Sequence, residues 1–402
     1  MNILMLSATF PYPPTRGGTS VRTFNLLRHL QQKGHRITLA TQRTGEVSDA
    51  EVSDLSAWVE ELAVFARPDN PPADVMSKAK RLLTFAVEGT PPSVVSAHSD
   101  EMQAWVNEQI ESGKFDAVTC EHCVNEAYVP ADISQHIPVS VVNIHSSVYG
   151  TCKHQLEGGT AERVWRDRLN LPLLKRYEQR YTQKFSHLVV TTEDDCQQMA
   201  ALSHKEEIFV IPNGVDLEMF TPREKDPGGH SLVFIGAMDN LPNIDSVTFL
   251  AKEIFPSVQQ RYPQATLFLV GARPGAEVKA LGDIEGVTVT GKVPEMTPYL
   301  HNSTVCVIPM RTGYGIKNKT LEAMAAGVPV VASDRGLEGL SVTDEIALRA
   351  NTAEEYAAAI GRLFESAELR ARLSENGRSL IERDFTWEIA GDRYEQVLLQ
   401  RS

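Results

Sequence analysis

A chain of 402 residues exceeds what one ordinary hydrophobic core organises, so two domains of comparable size are expected. With 42% hydrophobic and 23% charged residues it reads as globular throughout, and its formal net charge of -13 argues against a nucleic-acid binder, which needs a basic face to neutralise phosphate. No apolar run is long enough to span a bilayer, the stretch from Met1 to Phe10 lacks the charged flank of a signal peptide, and the five cysteines suit reduced thiols; a cytoplasmic protein is expected.

In chain order, apolar residues 3–6 precede a Pro/Gly-rich loop, an amphipathic stretch at 21–30, Gly34 and a second apolar run at 37–40. That order is strand, loop, helix, stop, strand, and its crossover predicts parallel strands in a doubly wound α/β domain. A long helical region is predicted over 51–109, broken at Pro71, Pro72, Pro91 and Pro92, with strands following at 117–120 and 139–144. A basic amphipathic segment at 163–184 precedes a strand at 188–192. The pattern restarts after Ile211-Pro212-Asn213-Gly214, with buried parallel-type runs at 232–235, 267–270, 287–289, 305–308 and 328–331. Residues 243–262 form the clearest helix of this half, with Ile244, Val247, Leu250, Ile254 and Val258 on one face and Pro263 beyond its end. The expected division is 1–205 and 206–383, two Rossmann-like doubly wound domains facing a cleft, then a terminal helix at 384–402 that can pack back on the first domain. Ligands of such sheets bind outside the carboxyl ends of the strands, so function is expected in the loops after them.

Cys120 and Cys123 form a C-x-x-C with His122 between them, and Cys152 and His154 follow, a ligand set zinc could accept. A second C-x-x-C is missing and Cys120 ends an apolar run, so core cysteines are the preferred reading and no metal site is assigned. The first chemically suggestive loop holds Gly17 and Gly18 just before a helix, where backbone N–H groups can approach an anion, although it lacks the G-x-G-x-x-G of a dinucleotide site and an ordinary tight turn is an equal reading. More informative is the stretch from Arg311 through Gly313, Tyr314, Gly315, Lys317 and Lys319 to Glu322, where glycines and three cations lead into a helix that stops at Gly327. Cations beside a helix N-terminus suit a diphosphate, and Glu322 is placed to accept hydrogen bonds from ribose hydroxyls. The competing reading, a solvated basic helix start, requires neither the glycines nor the glutamate.

These loops, with Gly34-His35-Arg36-Ile37, Ile211-Pro212-Asn213-Gly214-Val215-Asp216, Val270-Gly271, Gly291-Lys292-Val293 and Glu322-Ala323-Met324-Ala325-Ala326-Gly327-Val328-Pro329-Val330-Val331, resemble the family 4 glycosyltransferases over nearly the whole chain. Met238-Asp239-Asn240-Leu241-Pro242-Asn243 and the spacing Arg311, Gly313, Gly315, Lys319 are similar to a subgroup associated with exopolysaccharide biosynthesis. The resemblance implies a retaining GT-B enzyme using a nucleotide diphosphate-sugar, with base contacts near Lys292 and Val293 and donor contacts from Gly17, Gly18, Met238, Asp239, Val293, Arg311, Gly313, Tyr314, Gly315, Lys317, Lys319 and Glu322. It also implies an active-site histidine at the end of the strand at 117–121, where either Glu121 or His122 stands, with His145 a weaker candidate for the same rim; Lys319, Lys317 and Arg311 are read from this chain's own loop as replacements for the family's usual diphosphate cations, Lys319 as the catalytic one. The chain departs from the family where many members carry a first glutamate, here Tyr314, and where many carry an Arg and a Lys, here Ala237, Met238 and Asp239.

The expected activity is transfer of a sugar from the nucleotide to a hydroxyl acceptor, a glycan, lipid-linked glycan or small molecule, without a cofactor or metal, since no Asp-x-Asp occurs. A nucleotide-sugar epimerase of the same fold and a catalytically silent sugar-nucleotide binding protein are the alternatives. Basic residues between Arg163 and Lys184, alternating with leucines, suggest peripheral docking at the inner membrane surface, against the alternative of a helix whose apolar residues face the core.

Overall fold

The computed structural model describes residues 1–14, 17–68, 85, 89–145, 147–157, 161, 163–203, 205, 207–313 and 315–400. The chain forms two compact units, residues 1–212 with 390–402, and residues 213–389.

The first unit is built on a seven-stranded sheet of β1 (Asn2–Ser7), β2 (Arg36–Arg43), β3 (Glu61–Ala66), β4 (Ala117–Glu121), β5 (Val139–Ile144), β6 (His187–Val190) and β7 (Ile208–Val210), in spatial order β3-β2-β1-β4-β5-β6-β7. Every pairing is parallel. The continuous apolar runs follow from this, because helices cover the sheet and leave the side chains of β1, β4 and β5 with almost no exposure. β3 corrects the expectation of helix over 51–109. Its run Leu62-Ala63-Val64-Phe65 is too short to show a period, and at the sheet edge it is only half-buried.

β7 also belongs to this sheet, which puts the change of unit after Pro212 rather than at 205/206. The helix Trp387–Leu399 contributes residues from Ala390 onward to the first unit. There the His29 ring packs so closely that a Cβ at Gly391 would stand 2.2 Å from its Cγ.

The second unit has six parallel strands, β8 (Ser231–Ile235), β9 (Thr266–Val270), β10 (Val287–Gly291), β11 (Val305–Ile308), β12 (Val330–Ala332) and β13 (Leu348–Arg349), ordered β10-β9-β8-β11-β12-β13. The predicted helix over 243–262 is a continuous run made of Leu241–Phe249, a π turn at Leu250–Ile254 and Phe255–Arg261. Pro256 explains the interruption, since it lacks the N–H an α-helical ladder needs and the wider turn before it absorbs the mismatch. Leu250, Ile254, Phe255 and Val258 still reach the core.

Both sheets reverse their order of addition once, between β1 and β4 and between β8 and β11. The loops at the carboxyl ends of those four strands are where a doubly wound sheet holds its ligand.

Candidate functional site

In the second unit β8 ends at Ile235 and the chain turns at Gly236, with φ 150°, where an added Cβ would lie 3.2 Å from Lys319 Cε. Gly236 N donates to Val270 O (3.0 Å) and Met238 N to Ala272 O (2.8 Å). A Cβ at Gly271 would fall 1.8 Å from the Gly236 carbonyl oxygen, so the loops after β8 and β9 lie backbone against backbone. Beyond β11 the helix Asn318–Ala325 begins without a side-chain cap, leaving its first amides available to an anion.

Lys319 and Glu322 stand one turn apart on that helix. The Lys319 ammonium donates to Asn243 Oδ1, lies 4.7 Å from the centre of the Phe234 ring and is 3.6 Å from Met310 Sδ. Asn243 in turn donates to Ala237 O at 2.7 Å, tying the lysine to the loop after β8. Burial draws the Lys319 pKa down to about 7, Lys317 adding repulsion and Glu322 opposing. Burial likewise pushes the Glu322 carboxyl up to about 7, with Lys319 opposing. Among the described residues no hydrogen bond reaches the Glu322 carboxylate. A cation, open helix amides and an unengaged carboxyl therefore converge at the carboxyl ends of β8 and β11, a set suited to an anion attached to a polyol.

In the first unit the equivalent place lies between β1 and β4. His122, at the end of β4, has φ 95° and ψ 139°, a conformation that costs a non-glycine residue on the order of 1–3 kcal/mol. Its Nδ1 accepts from Val124 N at 3.3 Å, and its ring meets the His145 ring edge-on with centres 5.1 Å apart. His145 Nδ1 is 3.4 Å from Thr19 Oγ1, in the first turn of the helix Gly18–Gln32, while its Nε2 is buried with no partner among the described residues. Burial lowers the His122 pKa to about 4 and that of His145 well below the usual range, His122 and Arg22 adding to the second shift. Both imidazoles are thus neutral at pH 7, able to accept or donate a hydrogen bond.

A family model described as Glycosyltransferase Family 4 matches residues 16–219, and one described as Glycosyl transferases group 1 matches residues 229–366. The chain belongs to glycosyltransferase family 4. It is 24% identical over 396 residues to the MMP alpha-(1->4)-mannosyltransferase of Mycolicibacterium hassiacum, covering 92% of each chain. It is 27% identical over 211 residues to the GDP-mannose-dependent monoacylated alpha-(1-6)-phosphatidylinositol monomannoside mannosyltransferase of Corynebacterium glutamicum, covering 47% of this chain and 55% of that one. Among solved structures, the sucrose-phosphate synthase of Thermosynechococcus elongatus has a TM-score of 0.69 at 18% identity, covering 99% of this chain and 98% of that one. HepE of Anabaena in complex with UDP has a TM-score of 0.70 at 15% identity, covering 99% of both chains. These structural likenesses establish the GT-B fold with its two Rossmann-like domains.

Against this family frame, several residues expected at the site are engaged elsewhere. Glu121 is fully buried, its carboxylate accepting from Tyr394 OH (2.8 Å) and Asn143 Nδ2 (2.9 Å), while Arg22 Nε and Nη2 donate to Asn143 Oδ1 at 3.1 and 2.9 Å. That network anchors the terminal helix, so of the two candidates for the strand end His122 is the one that emerges from the sheet. Met238 is a core side chain that offers only its backbone to the loop. Arg311 pairs with Asp245 (3.0 and 2.5 Å) and stacks 4.5 Å above Phe249, and buried Lys317 pairs with Glu338 at 2.9 Å. Of the three cations, Lys319 alone joins Glu322.

Gly313 (φ 94°) and Gly315 (φ 68°) adopt backbone conformations that glycine suits, and a Cβ at Gly313 would press on Pro242 at 3.3 Å. Gly17 and Gly18 are exposed, with open space where their side chains would be. Val293 packs against the second core after Gly291. Asp239 is exposed and paired with Arg273. Tyr314, at the departed glutamate position, lies outside the described residues. Cys120 and Cys123 are buried, and burial raises both thiol pKa values, which leaves them poor metal ligands. Asn125, unremarked in the sequence, joins the switch-point loops by accepting from Ala8 N (2.7 Å) and donating to Glu121 O (2.9 Å).

Proposed function

We propose that this glycosyltransferase moves a mannosyl or glucosyl group from a nucleoside diphosphate sugar to a hydroxyl of a lipid-linked acceptor, retaining anomeric configuration and using no metal ion. The observation that carries it is the Lys319–Glu322 pair at the start of an uncapped helix. Lys319 and the helix amides hold the diphosphate, whose charge grows as the bond to sugar breaks, and Glu322 accepts from the ribose hydroxyls. In retention the departing phosphate takes the acceptor's proton, so the protein supplies mainly electrostatic support, Lys319 doing what a divalent ion does elsewhere. His122 and His145, neutral and adjacent, serve the acceptor hydroxyl as hydrogen-bonding groups.

The names of relatives support the sugar and acceptor classes: mannosyltransferases acting on phosphatidylinositol derivatives, and HepE bound to UDP-glucose. The basic segment at 163–184 forms the helix Val164–Thr182, with Asp167, Tyr177, Glu178 and Tyr181 turned inward. Arg163, Trp165, Arg168, Leu169, Pro172, Lys175 and Arg176 are exposed, while the helix's own acidic residues, Asp167 and Glu178, are buried. Such a face suits anionic headgroups, with Trp165 and Leu169 entering the interface. Arg166 and Lys184 are withdrawn from it by Asp167 and Glu126. No helix among the described residues is long and apolar enough to cross a membrane.

The deciding assay measures nucleoside diphosphate release from GDP-mannose and UDP-glucose in EDTA, with and without extracted lipid acceptors, and the anomeric configuration of the product. Acceptor-dependent release with retention supports the reading. Release without an acceptor would indicate an epimerase, and binding without release a silent binding protein.

A further inference from the structure

The first unit carries a cluster of imidazoles and carboxylates that no step of glycosyl transfer uses. His29 lies in the last turn of the helix Gly18–Gln32, eleven residues beyond Gly18 and so about 16 Å along the axis from the end that meets His145. Asp392 and Glu395 lie one turn apart on the terminal helix Trp387–Leu399. His29 Nε2 is 3.0 Å from Asp392 Oδ1, and one donor atom from each of His29, Asp392 and Glu395 lies within 4.8 Å of the others. His35, just before β2, backs Glu395, its Nε2 2.8 Å from Oε1.

Ion pairing between the helices accounts for only part of this arrangement. Asp392 Oδ1 meets both His29 Nε2 and Lys33 Nζ (2.8 Å), while Asp392 Oδ2 and Glu395 Oε2 have no hydrogen-bond partner among the described residues. The His29 side chain is only 9% exposed and its ring presses on Gly391, where any Cβ would collide with it, so the imidazole is held in one orientation before an ion arrives. His35 fixes Glu395 in the way a hydrogen-bonding residue behind a metal-binding carboxylate does. The helix C-terminus beside His29 adds partial negative charge, which favours a cation. With bonds of about 2.0–2.2 Å, the ligand atoms of a tetrahedral zinc stand about 3.4 Å apart. His29 and Asp392 already approach that spacing, and side-chain rotation of half-buried Glu395 and exposed Asp392 completes it.

We propose that His29, Asp392 and Glu395 bind a divalent transition-metal ion, with zinc the best match, which cross-links the first and last helices of this unit and takes no part in transfer. One imidazole and two carboxylates form a mixed nitrogen and oxygen set that zinc accepts, whereas magnesium and calcium favour oxygen alone. Binding moves the His29 ring proton to Nδ1 and frees the Nε2 lone pair. It also displaces the Lys33 ammonium, which is 44% exposed and returns to water. The two carboxylates supply two negative charges against the ion's two positive ones, and water completes the shell on the open side of Asp392.

The test is calorimetric titration of the chelator-treated full chain with zinc chloride, and with magnesium chloride for comparison, together with melting curves in each. The proteins are the wild type, Asp392→Asn, Glu395→Gln and Lys33→Met. The wild type binds one zinc ion and melts at a higher temperature with zinc than without, as a ligand of the folded state requires. Asp392→Asn and Glu395→Gln each lower zinc affinity about tenfold or more and lose the thermal shift. Lys33→Met removes the competitor for Asp392 and tightens zinc binding a few fold. Lys33 and Asp392 are both exposed, so their variants fold as the wild type does. A wild type that binds no zinc overturns the proposal. So does zinc binding that either carboxylate variant leaves unchanged, which would place the ion on other ligands such as Cys152 and His154. Magnesium bound as tightly as zinc, or weaker zinc binding by Lys33→Met, also overturns it. No nucleotide or acceptor enters any arm, so the outcome is independent of the glycosyl-transfer reading.

Discussion

Replacing Lys319 by methionine tests the donor reading at its centre. The side chain runs past Gly236 to Asn243, over Phe234 and beside Met310, an environment methionine fills without a charge to desolvate. Burial has already brought this lysine to about pH 7, so losing the ammonium leaves the melting temperature equal or higher. Catalysis responds differently. A preorganised donor aimed at charge that develops on the leaving group contributes about 2.7–4 kcal/mol, or roughly 100- to 1000-fold in kcat. In the ground state the loss is smaller, because at pH 7 about half of the free protein carries the ammonium and the apparent affinity is already lowered about twofold.

The pH dependence follows with a definite sign. Only protonated Lys319 favours the diphosphate, so above about pH 7 the competent fraction, and with it donor affinity, falls about tenfold per pH unit. Below about pH 7 Glu322 takes up a proton and loses its strength as an acceptor, so affinity falls on the acid side as well. Lys319→Met removes the alkaline limb. The measurement is steady-state kinetics on folded variant, with diphosphate titrations at pH 6, 7, 8 and 9. A kcat within a few fold of wild type and an unchanged alkaline limb would refute the reasoning, leaving Lys319 as a structural contact of Asn243.

Glu322→Gln removes the acid limb and raises the donor's dissociation constant about tenfold with kcat little changed, as titration against kinetics will show. Turnover in excess EDTA equals turnover in magnesium, and activity that chelation abolishes and metal restores would contradict the cation's assigned role. Anionic vesicles retain the protein at low salt and release it as ionic strength rises, and Trp165→Ala with Leu169→Ala weakens retention without altering soluble-acceptor turnover. Acid exposes the buried His122: its folded pKa of about 4 lies below the ordinary 6.5, so the unfolded chain binds more protons between these values. Stability therefore falls as pH drops through that window by about 3 kcal/mol, and His122→Asn flattens the decline in acid-unfolding curves.

The central strands β1, β4, β5, β6, β8, β11 and β12 were legible because each is a short apolar run buried on both faces, the two-residue β13 at the sheet edge was not foreseen, and the terminal helix was legible from the spacing of Tyr394, Val397 and Leu398. β3 and β7 were harder for a shared reason: both are edge strands whose short apolar runs, Leu62-Ala63-Val64-Phe65 and Ile208-Phe209-Val210, show no period and are only half-buried. At the site, glycines and cations could be read from local spacing, but their partners could not. Asp245 is 66 residues from Arg311 and Glu338 is 21 from Lys317, so only tertiary structure reveals that two of three neighbouring cations are already neutralised.

The Glu121 result shows how a residue can sit beside a proposed site residue, His122, and be engaged for another reason. Two hydrogen bonds to its carboxylate, from Tyr394 and Asn143, and the Arg22 contacts to Asn143 lock β4, β5, the first helix and the last into one buried polar network. Burial pushes the Glu121 pKa up and brings that of Arg22 down to about 10, so neither charge is held cheaply. A network of this kind is stable only when every member is satisfied, and it fixes the end of β4 rigidly. Rigidity there is what the next residue requires, because His122 occupies a backbone conformation that a looser strand end would relax. Glu121→Gln would leave the shape but weaken the grip of Tyr394, and the expected signature is a lower melting temperature together with a partial loss of kcat. If kcat collapsed while the melting temperature held, Glu121 would be acting on substrate, and its assignment to the core would be wrong.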